Sequence, residues 1–485
     1  MKSLEVIFAA SEAAPFSKTG GLADVMGSLP EALSSAGVKV GVFLPYYRQS
    51  RQAKFNVKLL LKKVKVTLGL RDIYFSLYHC VWEGVNFYFI NKKEYFDREH
   101  LYGGSLGDYS DNALRFAFFS QAVLSSLKAL EISPDVIHCN EWQTALVPFY
   151  LKNVPSQRKN FPKTKVLFTI HNLAYQGIFS SKALYGVGIQ QSFYTPDKLE
   201  FYGQISFIKA GILYSDVLNT VSKTYSREIL TRESGFGLEG LLQSRSSDIY
   251  GIINGVDYSK WNPETDKFIK AHYNSKNLAK KAECKKELLA RFKMDLDTGR
   301  PLCGIISRLA EQKGIDILIK SFSGLKDLGC SLIVLGKGEE RYERVFKSLS
   351  QQYPRNIATH IGFDEPLAHK IEAGCDMYFM PSRYEPCGLN QMYSLRYGTI
   401  PVVRSVGGLE DTVVDYQQHP ARGNGFKFRN LDSYSFLKAV SSARGVYEDK
   451  KTWKRIMARA MKADFSWNNS ALEYIKLYKK MRVKK

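Results

Sequence analysis

Several common signatures are missing from this chain of 485 residues. Its seven cysteines are scattered and form no C-x-x-C pair, so we expect neither a disulfide framework nor a structural zinc site. No apolar run approaches the roughly 20 residues that a membrane-spanning helix needs. There is also no GKS or GKT phosphate loop, no HExxH sequence, no internal repeat and no low-complexity segment. Kinase, P-loop ATPase and zinc-protease assignments therefore lack support.

The start of the chain lacks the pattern of a secretory signal. Its first apolar segment is short and contains Glu5, which indicates a first β-strand. With the unpaired cysteines, this pattern predicts a cytoplasmic protein. All cysteines except Cys387 are expected to be small buried apolar residues.

The chain has a formal net charge of +22, which raises the question of a nucleic-acid partner. The basic residues are spread along the sequence, and the densest groups lie at residues 62–65, 280–286 and 479–485. Solvated lysines on the surface of an enzyme account for this distribution better than a nucleic-acid site does. We therefore predict no nucleic-acid partner and no membrane partner.

Alternating strand and helix patterns indicate an α/β protein. Residues 4–10, 22–36 and 38–45 read as strand, helix and strand, which predicts a parallel sheet. Residues 73–81 and 85–90 read as an antiparallel insertion at the edge of that sheet. Because the length exceeds that of one ordinary core, two domains are expected.

Turn residues cluster at positions 254–266, and a second α/β series follows them. We place a first domain at residues 1–255 and a second at 256–465. The strands predicted for the second series are residues 301–307, 331–336, 356–362, 376–381 and 400–406.

Residues 18–24 (KTGGLAD) follow the first predicted strand, as expected of a phosphate-binding loop. Lys18 supplies a cation, and Gly20 and Gly21 allow backbone N–H groups to approach an anion. A second Gly-Gly pair stands in residues 406–412, after another predicted strand.

Two cations follow the strand at residues 301–307. The spacing of Arg308 and Lys313 lets both reach one diphosphate, although they could also be surface cations beside a helix start. Glu385 follows a further strand, and the residues alone support two readings equally, a ligand for hydroxyl groups and a helix cap. Phe363 reads equally well as an adenine contact and as a core aromatic residue. His138 and His171 are both expected at strand ends, where ligands of such sheets bind.

Several segments together resemble the bacterial glycogen synthase and plant starch synthase family, in the same order along the chain. The resemblance extends from residue 3 to residue 467. It is carried by residues 18–24, 171–177 (HNLAYQG), 254–257 (NGVD), 307–314 (SRLAEQKG) and 385–389 (EPCGL).

The resemblance implies a GT-B fold, in which two Rossmann-like domains face each other across a deep cleft and the C-terminal helix, residues 466–485, packs back on the first. It also implies transfer of glucose from ADP-glucose to the non-reducing 4-hydroxyl of an α-1,4-glucan, with retention of configuration. Glycogen or a malto-oligosaccharide would be the primer, and no cofactor or metal would be needed.

The same resemblance assigns roles to individual residues. Arg308, Lys313 and the backbone amides of both glycine loops would stabilise the leaving diphosphate, with Lys18 acting from the opposite domain. His171 would contact the glucose, and Glu385 would hold its hydroxyl groups. The further donor or acceptor contacts implied are Asp24, Tyr102, Asn254, Cys387, Gly388, Leu389, Gly408 and Thr412.

Two positions depart from related patterns. Glu141 stands where the family usually has Asp, which leaves its contact with sugar hydroxyls less secure. Tyr393 stands eight residues after Glu385, where many other retaining GT-B enzymes have a second Glu. Two alternatives stay open: a retaining transferase that uses UDP-glucose or forms another linkage, and a non-catalytic glucan-binding or nucleic-acid-binding protein.

Overall fold

The computed structural model of this protein describes residues 3–53, 55–104, 107–297 and 299–483. Contacts between Cα atoms divide it into two compact units. The first contains the chain up to Val221, Ser226–Gly255 and the chain from Trp467 onward. The second contains Ser222–Tyr225 and Val256–Ser466.

Strands and helices follow one another from Glu5 to Gly251, with the alternation interrupted chiefly by three consecutive strands from Lys58 to Asn91. They are β1 (Glu5–Ala9), α1 (Gly21–Ser35), β2 (Lys39–Pro45), α2 (Arg48–Gln52), β3 (Lys58–Leu68), β4 (Arg71–Trp82), β5 (Val85–Asn91), α3 (Lys93–Phe96), β6 (Gly103–Gly104), β7 (Gly107–Asp108), α4 (Asn112–Ala129), β8 (Val136–Asn140), α5 (Leu146–Asn153), α6 (Pro155–Asn160), β9 (Lys165–Ile170), β10 (Ile178–Ser180), α7 (Ala183–Gly186), β11 (Glu200–Phe201), β12 (Gln204–Ser206), α8 (Phe207–Tyr214), β13 (Val217–Thr220), α9 (Lys223–Glu228), α10 (Glu239–Ser244) and β14 (Ile249–Gly251).

The same alternation continues to the C-terminal helix. These elements are α11 (Lys281–Arg291), β15 (Leu302–Ile306), α12 (Ile315–Lys320), α13 (Phe322–Asp327), β16 (Ser331–Gly336), α14 (Glu340–Gln352), β17 (Ile357–Ile361), α15 (Glu365–Gly374), β18 (Met377–Met380), α16 (Asn390–Arg396), β19 (Ile400–Arg404), α17 (Gly407–Thr412), β20 (Phe426–Phe428), α18 (Ser433–Glu448), α19 (Lys450–Lys462) and α20 (Trp467–Val483).

The first unit is built on a nine-stranded sheet with the order β14-β13-β9-β8-β1-β2-β5-β4-β3. Its pairs are parallel except at one edge, where β5, β4 and β3 pair antiparallel. The antiparallel insertion that the alternating apolar pattern predicted is therefore confirmed. Strand β3 buries every second residue from Val64 to Leu68, as expected of a strand covered on one face.

The second unit contains a six-stranded parallel sheet with the order β17-β16-β15-β18-β19-β20. Strands β16 and β18 are buried along their whole length, because helices cover both faces of such a sheet. The predicted α/β class with parallel sheets is thus confirmed in both units.

Helix α20 belongs to the core of the first unit. Trp467, Tyr474 and Tyr478 are buried with residues of β1 and α1 in one apolar cluster. Helix α20 thus packs on elements of the first unit, and Lys484 and Lys485 lie outside the described residues. Within the described ranges, none of the helices combines the length and apolar character needed to cross a bilayer.

The structure corrects the expectation for His138. It lies inside β8 and is fully buried, with Nδ1 2.8 Å from the Tyr478 hydroxyl and Nε2 2.6 Å from Thr169 Oγ1. Burial lowers the pKa of its imidazole well below the usual value. His138 therefore joins the sheet to α20 and does not reach a strand end.

Candidate active site

In the main sheet of each unit, the chain adds strands first to one side of a central strand and then to its other side, so that the strand order reverses at that strand. β2 and β8 flank β1 in the first unit, and β16 and β18 flank β15 in the second. In open α/β sheets, ligands bind beyond the carboxyl ends of the strands at this reversal. The loops that follow β1, β8, β9, β15 and β18 carry most of the predicted site residues.

The glycine loop after β1 encloses a carboxylate of the protein itself. Glu12 Oε2 accepts hydrogen bonds from the backbone N–H groups of Thr19 at 2.6 Å and Gly20 at 3.1 Å. The Thr19 hydroxyl also lies 3.0 Å from Glu12 Oε1, and Glu12 is only 4% exposed. The expectation that the Gly20 amide faces a phosphate is therefore wrong for this conformation, because Glu12 occupies the anion position.

The start of α1 remains a candidate for anion binding. Helix α1 begins at Gly21, and no side chain caps its first turn. Its N–H groups and its dipole therefore favour an anion. Lys18, whose side chain is 54% exposed, lies beside this helix start and forms an ion pair of 2.6 Å with Asp24. The two predicted residues are thus brought together, with Asp24 balancing the charge of Lys18.

Tyr102 is tied to the same carboxylate. Its hydroxyl donates to Glu12 Oε1 at 3.0 Å and lies 2.7 Å from Ser11 Oγ. Burial, together with the nearby Glu12, raises the pKa of the Tyr102 hydroxyl well above its usual value. Tyr102 therefore braces the loop that follows β1.

Glu141 supports the loop after β9. Its Oε1 accepts the N–H groups of His171 at 2.5 Å and Asn172 at 2.9 Å. Burial raises the pKa of this carboxyl group to about 8, although both hydrogen bonds act in the opposite direction. Glu141 holds backbone here, which differs from the contact with sugar hydroxyls that the resemblance implied.

His171 is neutral and oriented by Asn140. The Asn140 Nδ2 donates to Ala9 O at 3.3 Å and His138 O at 3.2 Å, which turns Oδ1 toward His171 Nε2, 2.9 Å away. The imidazole therefore carries its proton on Nε2. Burial lowers the pKa of His171 to about 3, so the ring is uncharged at neutral pH.

In the second unit, the loops after β15 and β18 meet through an ion pair. Lys313 Nζ lies 2.8 Å and 2.7 Å from the two carboxylate oxygens of Glu385. The Ser382 hydroxyl donates to Glu385 Oε2 at 3.0 Å. Glu385 is 5% exposed, and the residue that caps α16 is Leu389. The helix-cap reading of Glu385 is therefore wrong, and Lys313 is not a free surface cation.

Arg308 is exposed and reaches the same loops through Gln312. Its Nη2 lies 3.1 Å from Gln312 Oε1, and Gln312 Nε2 lies 3.4 Å from the carbonyl oxygen of Tyr384. The backbones also pack closely, because a Cβ on Gly314 would lie 1.9 Å from Pro381 O. Only glycine fits at that contact, so these loops hold Arg308, Lys313 and Glu385 in one region.

The second Gly-Gly pair has a structural role that the sequence did not reveal. The Gly408 N–H donates to Glu385 O at 3.0 Å, and the Leu409 N–H donates to Val406 O at 3.0 Å. The prediction that these amides stabilise the diphosphate is therefore wrong for this backbone. The Thr412 hydroxyl donates to Gly408 O at 2.6 Å, so it also belongs to the support of the loop.

Amides in residues 387–389 are better placed as donors. The buried Gln391 donates through Nε2 to Cys387 O at 3.0 Å and Gly388 O at 2.9 Å, which orients these peptide groups. Gly388 has a φ of 68°. In the part of the chain that the structure describes, no acceptor bonds the amides of Gly388 or Leu389.

Three further residues from the sequence analysis are described by their burial and stacking. Phe363 is 82% exposed, so its reading as a core aromatic residue is wrong. Asn254 is 5% exposed, and its Oδ1 has no hydrogen-bond partner among the described residues. Tyr393 stacks on Trp261 with ring centroids 4.0 Å apart, and His369 stacks near the same indole at 3.8 Å.

Glu12 and Ser382 were missed in the sequence. Glu12 could have been found as a carboxylate within a few residues of the end of β1, beside the glycine loop. Ser382 lies directly before the 383–388 loop but belongs to no recognised pattern. Their partners lie seven and three residues away, and a sequence does not show which way these side chains point.

Two family models match most of the chain. Residues 5–244 match the family described as the starch synthase catalytic domain, and residues 287–456 match glycosyl transferases group 1. The glycogen synthase of Koribacter versatilis (strain Ellin345) is 45% identical over 480 residues, 99% of this chain and 98% of that protein. The glycogen synthase of Thermotoga maritima is 44% identical over 488 residues, 99% of both chains.

Solved structures show the same fold. The catalytic domain of starch synthase IV from Arabidopsis thaliana, bound to ADP and acarbose, has a TM-score of 0.91 and 33% identity, covering 99% of this chain and 100% of that one. Two parallel α/β units with this likeness define a glycosyltransferase of the GT-B type. With the relatives above, the chain belongs to the glycogen synthase and starch synthase family.

Proposed function

We propose that this protein extends α-1,4-glucans in glycogen biosynthesis, transferring glucose from ADP-glucose to the non-reducing 4-hydroxyl with retention of configuration. The observation that carries the proposal is the Lys313–Glu385 ion pair at the strand-order reversal of the second unit. A cation for the diphosphate and a carboxylate for sugar hydroxyls are thereby held side by side. The starch synthase IV structure, which contains ADP and acarbose, supports a nucleotide-sugar donor and a glucan acceptor.

The proposed chemistry follows from where charge develops. As the glucosyl bond breaks, negative charge grows on the leaving diphosphate, and preorganised donors lower the barrier. We assign this role to Arg308, Lys313 and the amides of Gly388 and Leu389. The diphosphate would also help to take the proton of the acceptor hydroxyl.

Residues of the first unit complete the assignment. Lys18 and the uncapped start of α1 would act on the diphosphate, and neutral His171 would contact the glucose without adding a charge. Asp24, Asn254 and Tyr102 would support the donor side of the site.

We further propose that the reaction needs no metal or other cofactor. In support, Arg308 and Lys313 already place two cations in the region proposed for the diphosphate. Activity should therefore survive dialysis against a chelator, and a requirement for magnesium or manganese would contradict this part.

We also propose that the protein is cytoplasmic. All seven thiols are free and buried, which supports a location in the reducing cytoplasm.

The direct test compares ADP-glucose and UDP-glucose with a malto-oligosaccharide acceptor. We expect products that grow by one hexose at a time from ADP-glucose, with new α-1,4 linkages by NMR. Preference for UDP-glucose, or another linkage, would favour the alternative transferase. If neither donor is consumed while glucan still binds, the protein would be a glucan-binding protein without transferase activity.

A further inference from the structure

A cavity of about 360 Å³ opens on the first unit, formed by β3, β4 and the segment after β5. None of the residues predicted for glucosyl transfer lies in these segments. The cavity is lined by three lysines, Lys62, Lys92 and Lys93, together with Tyr74, Phe75, Ser76, Asn91 and Glu94. Its size suits a small ligand.

A β-bulge builds one wall of this cavity. Strand β3 pairs Leu61 with Leu77 and Val64 with Phe75, so β3 advances three residues where β4 advances two. The extra residue falls at Lys62 and the position after it, and such a bulge redirects a side chain from the regular alternation. The Ser76 hydroxyl donates to the Lys62 carbonyl oxygen at 2.9 Å and fixes the bulge.

The cavity keeps positive charge that the protein does not balance. Lys92 pairs with Glu94 at 2.9 Å, and the nearby Lys65 pairs with Asp72 at 2.7 Å. Among described residues, by contrast, no carboxylate lies within 4 Å of the ammonium group of Lys62 or Lys93. Asp97, which pairs with Arg48 at 2.8 Å, interacts with Lys93 only at longer range. Lys62 and Lys93 thus lack a direct ion-pair partner among the described residues and are left for an anion from solution.

Protection of the sheet edge against pairing with another chain accounts for only part of the positive charge around this cavity. β3 is the outermost strand of its sheet, and lysines on such a strand discourage pairing with another chain. That role does not apply to Lys92 and Lys93, which follow β5, two strands further in. Two separate segments therefore bring cations to one cavity.

We propose that this cavity binds a phosphorylated small molecule, with its phosphoryl dianion between Lys62 and Lys93. Lysine ammonium groups bind phosphate as point charges, and a phosphate monoester near neutral pH carries close to two negative charges. Asn91 Oδ1 is held by Arg51 at 2.5 Å, so the group that Asn91 can offer a ligand is its N–H donor. Inorganic phosphate, condensed phosphate and sugar phosphates share the required chemistry.

The test uses the full chain with pyrophosphate, inorganic phosphate, glucose 1-phosphate and neutral glucose as probes. Calorimetry should show binding of at least one phosphoryl compound and none of glucose. Hydrogen exchange should show protection at residues 58–66 and 91–96 with that compound. The phosphoryl probe that protects these segments most strongly identifies the source of the phosphate.

Charge variants decide whether the lining residues are responsible. Lys62→Ala with Lys93→Ala should weaken binding at least tenfold and abolish the protection. The matched control, Arg158→Ala with Lys159→Ala, removes two exposed cations from α6 of the same unit and should leave both unchanged. Equal weakening by the two pairs, or protection at neither segment, would overturn the proposal. If the double variant folds poorly, the single variant Lys93→Gln is used instead, and it should also weaken binding of the phosphoryl probe and reduce the protection.

Discussion

The carboxylate of Glu12 lies 3.1 Å from the backbone nitrogen of Gly20 and occupies the position that the glycine loop offers to an anion. The loop is therefore shaped before any ligand arrives, because its N–H groups are already satisfied. Tyr102 joins the same carboxylate from a distant segment. A ligand anion would have to use the start of α1 at Gly21 and the ammonium of Lys18.

Replacing Glu12 by Gln should disturb this loop strongly. The Gln oxygen can still accept the Thr19 and Gly20 amides, but its NH2 group meets the Thr19 and Tyr102 hydroxyls that donate to Glu12 Oε1. The loop also loses a charged acceptor, and hydrogen bonds to charged groups contribute about 1.5–3 kcal/mol each. We expect a lower thermal unfolding midpoint and a fall of roughly tenfold or more in kcat/KM for the donor. Tyr102→Phe is the control, since it removes one hydroxyl contact and should have a smaller effect. Unchanged kinetics in Glu12→Gln would show that the loop does not depend on this carboxylate.

A second prediction concerns the turnover of variants at the Lys313–Glu385 ion pair. Lys313→Ala removes a donor to the developing diphosphate charge and should lower kcat by on the order of 10². Arg308→Ala should act in the same direction. Lys320→Ala, which removes an exposed cation in α12, is the matched control and should retain turnover.

A double-mutant cycle separates the two roles of this pair. Among the described residues, Lys313→Ala leaves the buried Glu385 carboxylate with the Ser382 hydroxyl alone, so part of the loss is an uncompensated carboxylate. Combining it with Glu385→Gln should therefore restore some stability without restoring turnover. Normal turnover in Arg308→Ala or Lys313→Ala would exclude the diphosphate assignment.

Glu141 makes the stability of the first unit depend on pH. Its folded pKa of about 8 lies above the ordinary 4.5, so between these values the folded state holds a proton that the unfolded state has lost. This contribution is complete below the unfolded pKa and is lost as pH rises through the folded pKa. Its slope is at most about 1.4 kcal/mol per pH unit.

Glu141→Gln should remove that dependence, because its oxygen can still accept the His171 and Asn172 amides. Denaturant unfolding at pH 5.5, 6.5 and 7.5 measures the difference between the two proteins. We expect the advantage of the unsubstituted chain to shrink at each step upward. A constant difference would mean that Glu141 is ionised throughout this range.

Gly255 allows close packing of α20 in the first unit. A Cβ there would lie 2.5 Å from the Trp467 Cα and 2.6 Å from its ring. Gly255→Ala should cost about 1–3 kcal/mol, because neither backbone nor indole can move aside easily. Gly240→Ala is the control: this helical glycine has no atom within 4 Å of an added Cβ and should gain up to about 1 kcal/mol. Thermal unfolding of both variants gives the comparison.

Local patterns were enough to predict much of the fold. The strand at residues 331–336 is observed at Ser331–Gly336, because continuous apolar residues can only be buried between two helical layers. The antiparallel edge was equally readable from its alternation. His138 was predicted at a strand end, but β8 continues for two more residues, to Asn140. Strand bounds read from a sequence are uncertain by a few residues, and that is enough to move a side chain from a strand end into the core.

The sequence predicted many of the residues of the candidate site, but it did not predict which of them contact each other. Lys313 and Glu385 were both selected, but their pairing across 72 residues of sequence could not be seen. The Gly408 and Leu409 amides were wrongly predicted to be donors for the ligand. A Gly-Gly pair before a helix does not reveal that its amides already donate to backbone carbonyl groups.

What the sequence determined by itself is the class of each segment and the chemistry available at each strand end, because periodicity and residue type act over a few neighbouring positions. Only the tertiary structure decided which groups satisfy one another. It placed Glu12 in the glycine loop, Glu141 on the backbone amide of His171, and Lys62 and Lys93 around one cavity. Such contacts depend on distances between segments that the chain brings together only on folding.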